Sequence, residues 1–309
     1  MQLTSNLFSQ NHFALKTFGY IWTHPNCQYH KLQSVLKFFG WQLYKRLTHH
    51  FLDIQLVPSV KLRCHPDSYS AAAVLYCGLY DYDEMNFLLR YLRAEDSFLD
   101  IGANVGVYTL LAASKIQSGS IYSFEVLPKN YTRLQENLKI NKFDQVKTYE
   151  IAVSDQPGTV SLNLAEGDSM PFITHTSANN TITVTTDTLD NLLQNQPLDN
   201  LTLAKMDIEG AELLAFKGAV SLLKQQRPHV WILEINDQVS NFGHHKQDVV
   251  DFLHNYGYKL YRYSADTNQI SPINLEQQQG NNVLAIADSA LDFVRDRLAE
   301  TNLDRIQKP

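Results

Sequence analysis

The segment FLDIGANVGVYTLLAA, Phe98 to Ala113, constrains this chain more than any other stretch of its length. An apolar run leads into a turn that carries Asp100, Gly102, Asn104 and Gly106 at alternate positions, and a second apolar run follows with helical character. The segment therefore reads as strand, tight turn and helix. In a doubly wound sheet such a turn lies at the carboxyl edge, where ligands bind, and glycine lets backbone come close to other atoms.

The rest of the middle repeats the alternation. Strands are expected at SFLDI, SIYSFE, KTYEIAV, TLAKMDI, HVWILEI, YKLYRY and NVLAIA, and helices from Val107, Pro128, Gly210 and Lys246. That order predicts an α/β fold with a mostly parallel, doubly wound sheet. Between Gly158 and Val184 the alternation gives way to residues that read as a small β insertion, and the polar tail after Asp288 reads as a surface helix. The segment HKLQSVLKFFGWQLYKRL has apolar residues at helical spacing (Leu32, Val35, Leu36, Phe39, Trp41, Leu43) with basic residues between them. Such a helix suits an anionic membrane surface or a neighbouring domain, and packing on the domain is the expectation.

With 309 residues, 44% hydrophobic and 19% charged, the chain can bury a sizeable core without staples. Three cysteines, Cys27, Cys64 and Cys77, are spaced unlike a zinc ribbon or a disulfide framework, which predicts buried or idle thiols in a reducing compartment. A net charge of -6 argues against general nucleic-acid binding. The start of the chain has no basic region followed by an apolar core, and no stretch approaches the roughly 20 apolar residues of a bilayer span, so a cytoplasmic protein without stable membrane insertion is expected.

Glu125 sharpens the opening motif. It ends the next strand about twenty residues past the glycine turn, where a carboxylate can accept hydrogen bonds from both ribose hydroxyls of a nucleoside cofactor. Nicotinamide and adenosylmethionine enzymes both use that arrangement. A dinucleotide fingerprint wants a middle glycine to clear space for pyrophosphate, and here that position is Asn104. Adenosylmethionine has no pyrophosphate, and its sulfonium suits the nearby Asp100.

The chain resembles the FkbM family of class I S-adenosylmethionine-dependent methyltransferases in FLDIGANVGVYTLLAA, IYSFEVLPKNYTRLQENLKIN, IAVSD, TTDTLDNLL, AKMDIEGAELLAFKGA and VWILEI, in order from about Phe98 to Asn236. The resemblance implies a seven-stranded methyltransferase sheet, S-adenosylmethionine as cofactor, and transfer to a hydroxyl of a sugar, polyketide or other small metabolite. It places Asp100, Gly102, Asn104 and Gly106 along the methionine portion, Glu125 on the ribose, and Ala152 with Val153 at the adenine. Val126 stands at a further adenine contact where the family usually has proline, and Pro128 begins the helix instead. Residues 1–75 are then a helical extension and cap, 76–288 the methyltransferase domain, and 289–309 a terminal helix or tail. The segment YCGLYDYDEMNFLLRYL is expected to cap the cofactor site, with Tyr80 or Glu84 touching it.

The second strong block is KMDIEGAELLAFKGA. Asp207 matches the position where class I methyltransferases place an acceptor-facing group, and Asp207 or Glu209 can take the acceptor's proton directly or through water. His175, in the insertion, is a further candidate for base and acceptor contact. Glu212 reads as an acid meeting the dipole of the helix it begins. Glu234 is open between acceptor binding and an ion pair, and His244 and His245 fall in a loop expected to face solvent. Asp207 and Glu209 could hold a divalent ion, but spacing offers no third ligand, so no metal is expected. A nicotinamide oxidoreductase and a catalytically silent cofactor-binding module remain as other readings, and the acceptor, a small molecule or glycan, has no motif of its own.

Overall fold

The computed structural model describes residues 16–163, 172–173 and 181–306. The chain divides into two compact units, Met1–Tyr82 and Asp83–Pro309.

In the first unit residues 16–23 are helical, and α1 (Lys31–Thr48), β1 (Leu52–Val57), β2 (Val60–Cys64) and α2 (Tyr69–Cys77) follow. The two strands form an antiparallel hairpin that the sequence reading did not place. Alternation explains it: Ile54, Leu56, Val60, Leu62 and Cys64 are buried, while Gln55, Lys61 and Arg63 between them along the strands are polar or charged. Helix α1 turns Ser34, Phe38 and Trp41 inward, with the Phe38 ring edge-on to Tyr76 of α2 at 5.3 Å. The face that packs is not the one the spacing suggested: of the residues counted toward it Trp41 is buried, whereas Leu32, Leu36, Phe39 and Leu43 are exposed. All three cysteines are buried and free.

The second unit opens with α3 (Tyr82–Tyr91), which begins one residue inside the first, and continues with β3 (Ser97–Ile101), α4 (Val107–Ala113), β4 (Ile121–Phe124), α5 (Pro128–Asn141) and β5 (Val146–Tyr149). Then come β6 (Ala152–Val153), β7 (Gly158–Asn163), β8 (Phe172–Ile173), β9 (Thr181–Asp187), α6 (Leu189–Leu192) and β10 (Leu201–Met206). The last elements are α7 (Glu212–Lys217), α8 (Val220–Lys224), β11 (Val230–Glu234), α9 (Lys246–His254), β12 (Tyr258–Ser264), β13 (Gln269–Pro272), β14 (Asn282–Ala287) and α10 (Leu291–Ile306).

The main sheet has the order β13-β12-β14-β11-β10-β3-β4-β5. Strands β11, β10, β3, β4 and β5 run parallel, and β14 lies antiparallel to both β11 and β12. The seven expected strands are present, and β13 adds an eighth at the edge. Central parallel strands are covered on both faces, which is why β3 and β10 are buried at every residue and read as continuous runs rather than alternating ones. The expected strand KTYEIAV is split: β5 ends at Tyr149, and Ala152–Val153 joins a second sheet, β6-β9-β7-β8, which holds the described part of the β insertion.

Register fixes what lies beyond the sheet. Ile101 pairs with Phe124 and with Met206, Phe124 with Tyr149, and Met206 with Leu233. The residues that follow, Glu150, Glu125, Gly102, Asp207 and Glu234, therefore form one row along the carboxyl edge, four of them acids.

Candidate active site

The glycine turn explains its own sequence. Gly102, Asn104 and Gly106 have φ of 81°, 52° and 90°, so each alternate position is left-handed, a conformation glycine adopts freely and asparagine tolerates. A Cβ on Gly102 would lie 1.9 Å from the backbone oxygen of Asp207, so the close approach it permits is to the end of the neighbouring strand. The turn spends its donors internally. Gly102 and Ala103 N–H both donate to the Phe124 carbonyl at 2.9 Å, and Gly106 N–H to the Ala103 carbonyl at 2.8 Å. Asn104 N–H donates to Glu125 Oε2 at 2.7 Å, and Val105 N–H to Asn104 Oδ1 at 2.8 Å. Pyrophosphate-binding turns work by presenting free N–H groups, and none of these five is free.

Glu125 is buried, and its other oxygen accepts Leu127 N–H at 2.8 Å. Burial pushes its pKa up to about 7 against the pull of those backbone donors. Val126 beside it is half-buried. Asp100 is buried more deeply and accepts from the Thr109 hydroxyl at 2.5 Å, with burial raising its pKa to about 6. It is thus committed to the core between β3 and α4. Val153 is buried and Ala152 half-buried, three residues past the strand that flanks β4.

A residue that sequence reasoning missed lies at the next part of the row. Lys205, on the buried strand β10, places Nζ 3.3 Å from Asp207 Oδ2, 3.1 Å from Asn282 Oδ1 and 5.4 Å from the centre of the Tyr108 ring. Burying an ammonium is costly unless it is paired, so its place in an apolar strand is the signal that could have found it. Burial alone would raise Asp207, but Lys205 and a hydrogen bond with Glu234 outweigh it and hold the carboxyl below its ordinary range. Glu234 is shifted the other way, raised by burial and by sharing that hydrogen bond with Asp207, and it also accepts from Asn281 Nδ2 at 2.9 Å. Glu234, left open between acceptor binding and an ion pair, shares a hydrogen bond with Asp207 at the carboxyl edge.

Glu209 is itself left-handed, with φ of 56°, a strain that non-glycine residues carry chiefly where the surroundings impose it. Its carboxyl is pushed up to about 7, first by burial and then by the charge of Asp207. The carboxylates of Asp207, Glu209 and Glu234 converge to within 4.8 Å. Spacing offered no third ligand for a divalent ion, and the fold supplies Glu234 as one, although Lys205 already brings a positive charge to Asp207.

Glu212 is buried and accepts the Ile208 and Gly210 N–H groups, both at 3.2 Å, which ties the turn before α7. His245 is exposed and caps α9 reciprocally with Asp248, and His244 is half-buried. Tyr80 belongs to the first unit, where its carbonyl accepts from Tyr20 and His24, and Glu84 lies in the first turn of α3. His175 lies outside the described residues.

An acidic carboxyl edge behind a donor-poor glycine turn on an α/β sheet suits a cationic rather than a phosphorylated cofactor. Residues 100–260 match the methyltransferase FkbM domain, and the chain belongs to that family. Its cofactor is S-adenosyl-L-methionine, and the residues present fit it: an acceptor carboxylate at Glu125, acids along the edge and no demand for free N–H donors at the turn.

The hexuronic acid methyltransferase AglP of Haloferax volcanii is 26% identical over 158 residues, 47% of this chain and 58% of that protein. Methyltransferase 1 of Beauveria bassiana is 23% identical over 146 residues, 40% of this chain and 59% of its own. The matched segment thus spans little more than half of either curated relative. An rRNA methylase structure from Streptococcus thermophilus superposes with a TM-score of 0.39 at 14% identity, covering 65% of this chain and 91% of that one.

Proposed function

We propose that this chain is an S-adenosylmethionine-dependent O-methyltransferase whose acceptor is a hydroxyl of a sugar or similar small metabolite. The observation that carries the reading is the turn at Gly102–Gly106, whose five N–H groups are all engaged within the protein. A nicotinamide dinucleotide would find no donors there for its phosphates, and the acid row would repel it. The likeness to the Haloferax volcanii hexuronic acid methyltransferase supports a sugar acceptor.

The bound cofactor supplies an electrophilic methyl group on a sulfonium. Glu125 receives the ribose hydroxyls, and the turn with Asp100 behind it borders the methionine portion. Val126, Ala152 and Val153 border the adenine. Placing the acceptor oxygen in line supplies most of the rate, where effective molarity is worth roughly 7 to 11 kcal/mol.

Glu209 takes the hydroxyl proton. A base works best with a pKa near the operating pH, and Glu209 sits at about 7 whereas Asp207 is held low by Lys205. Asp207 and Glu234, sharing a hydrogen bond, orient the acceptor. The same negative charge disfavours a carboxylate acceptor, so a methyl ether is the expected product rather than a methyl ester.

The test is transfer of labelled methyl to a panel of glycosides, with alkaline treatment of the products. Base-stable label on a hydroxyl supports the reading. Base-labile label, label on nitrogen, or binding of NAD in place of S-adenosylhomocysteine overturns it.

A further inference from the structure

Helix α1 carries apolar residues on the face it does not bury. Leu32, Leu36, Phe39, Leu43 and Leu47 are between 58% and 73% exposed. At 100° and 1.5 Å per residue they form a single stripe about 22 Å long, bordered by Lys31 and Arg46 on one side and Lys37 on the other. The helix contains no acidic residue. Trp22, 48% exposed and stacked on Phe18 at 5.6 Å, lies beneath the Lys31 ammonium at 4.9 Å, so an aromatic pair adjoins the start of the stripe.

Charge is divided between the units. Residues 1–82 hold seven Lys and Arg against three Asp, a net +4, and the chain's -6 therefore leaves -10 for Asp83–Pro309. A basic unit with a leucine stripe stands beside a strongly acidic one in sequence.

We infer that this face of the first unit docks on an anionic lipid surface. The inference goes beyond the proposed activity and does not depend on it. An interfacial helix needs an apolar face to enter the acyl boundary, basic residues along its borders for anionic headgroups, and aromatic side chains that settle at the interface, and α1 with Trp22 supplies all three. A second copy of the chain fits less well. Two such stripes facing one another would bring Lys31, Lys37 and Arg46 against their like, with no acid on the helix to pair them. Nucleic acid would leave the leucines in water. The helix lies on the surface rather than across it, since no helix among the described residues is long and apolar enough to span a membrane.

The experiment is co-sedimentation of the full chain with phosphatidylcholine vesicles and with vesicles of phosphatidylcholine mixed with phosphatidylglycerol, at low and high salt. Leu36→Glu/Leu43→Glu and Lys37→Gln/Arg46→Gln double variants are run beside it. These side chains are exposed, and circular dichroism with S-adenosylhomocysteine titration confirms that each variant is folded. The expected result is recovery with the anionic vesicles, weakened by salt, and a fall in partitioning of about tenfold or more for either variant. No recovery, equal recovery with both lipids, or variants that bind as the parent overturns the inference. A dimer in light scattering that Leu36→Glu/Leu43→Glu dissolves gives the stripe to a second copy and overturns it also.

Discussion

Glu125 Oε2 accepts the backbone N–H of Asn104 at 2.7 Å, so the acid that ends one strand holds the left-handed turn that ends its neighbour. The two features that suggested a nucleoside site are therefore a single unit. Glu125→Ala removes the carboxylate proposed to hold the ribose and also orphans the N–H groups of Asn104 and Leu127. Loss of hydrogen bonds to a charged group, about 1.5 to 3 kcal/mol, predicts roughly ten- to a hundredfold weaker S-adenosylhomocysteine binding by calorimetry. Because the pKa of Glu125 is raised to about 7, affinity in the parent should fall as pH drops below 7, and this dependence should vanish in the variant.

Lys205 and Asp207 give the second prediction. Lys205→Met removes the charge that holds Asp207 down and also draws Glu209 downward, so the acidic limb of the pH–rate profile, set by Glu209 as the proposed base, should shift upward. Breaking a fully buried pair costs about 3 to 5 kcal/mol, but the Asp207 side chain keeps 38% of its exposure, and solvent screening reduces the expected loss to about 1 to 3 kcal/mol by denaturant unfolding.

The strands of the sheet were legible because a parallel sheet covered on both sides demands unbroken apolar runs, and the turn because left-handed positions select glycine and asparagine. Glu234 could be placed at the carboxyl edge from its own strand. Its hydrogen bond with Asp207 could not be read, because that depends on β10 and β11 being neighbours in register. Lys205 went unread because a lysine in a strand ordinarily marks a solvated position, and only the burial of β10 makes it a paired interior charge. In α1, helical spacing grouped Leu32, Val35, Leu36, Phe39, Trp41 and Leu43 on one face and passed over Phe38, whereas the fold turns Phe38 and Trp41 inward and Leu32, Leu36, Phe39 and Leu43 outward.

Glu209 links activity and stability to pH in opposite ways. Its carboxyl titrates near 7 in the fold against 4.5 for the free side chain, so between those values the native state keeps a proton that the unfolded chain releases. Stability contributed by this group is full below about pH 4.5 and is lost as pH rises through 7, while Glu209, as the proposed base, becomes competent over the same rise. Glu209→Gln should flatten the dependence of Tm on pH in that window and lower kcat by a factor on the order of 100 to 10,000, leaving S-adenosylhomocysteine affinity near the parent value. A variant that keeps full kcat moves the role of base elsewhere along the row.

Gly102 and Gly243 separate two reasons for glycine. Both are left-handed, with φ of 81° and 75°. A Cβ on Gly243 would meet nothing within 4 Å, so Gly243→Ala carries only the conformational cost of about 1 to 2 kcal/mol. On Gly102 the added atom would sit 1.9 Å from the backbone oxygen of Asp207 and 3.1 Å from Ile208 Cγ2, and backbone on a central strand cannot yield as a side-chain tip can. Overpacking then adds roughly 1 to 3 kcal/mol or more to the conformational cost. Thermal unfolding should therefore rank Gly102→Ala well below Gly243→Ala. Because the displaced atom belongs to Asp207, any Gly102→Ala protein that still folds should also lose kcat, whereas Gly243→Ala should not. Equal loss of stability in the two variants would mean that the ends of β3 and β10 are not pressed together, and the row of acids built on that register would need to be redrawn.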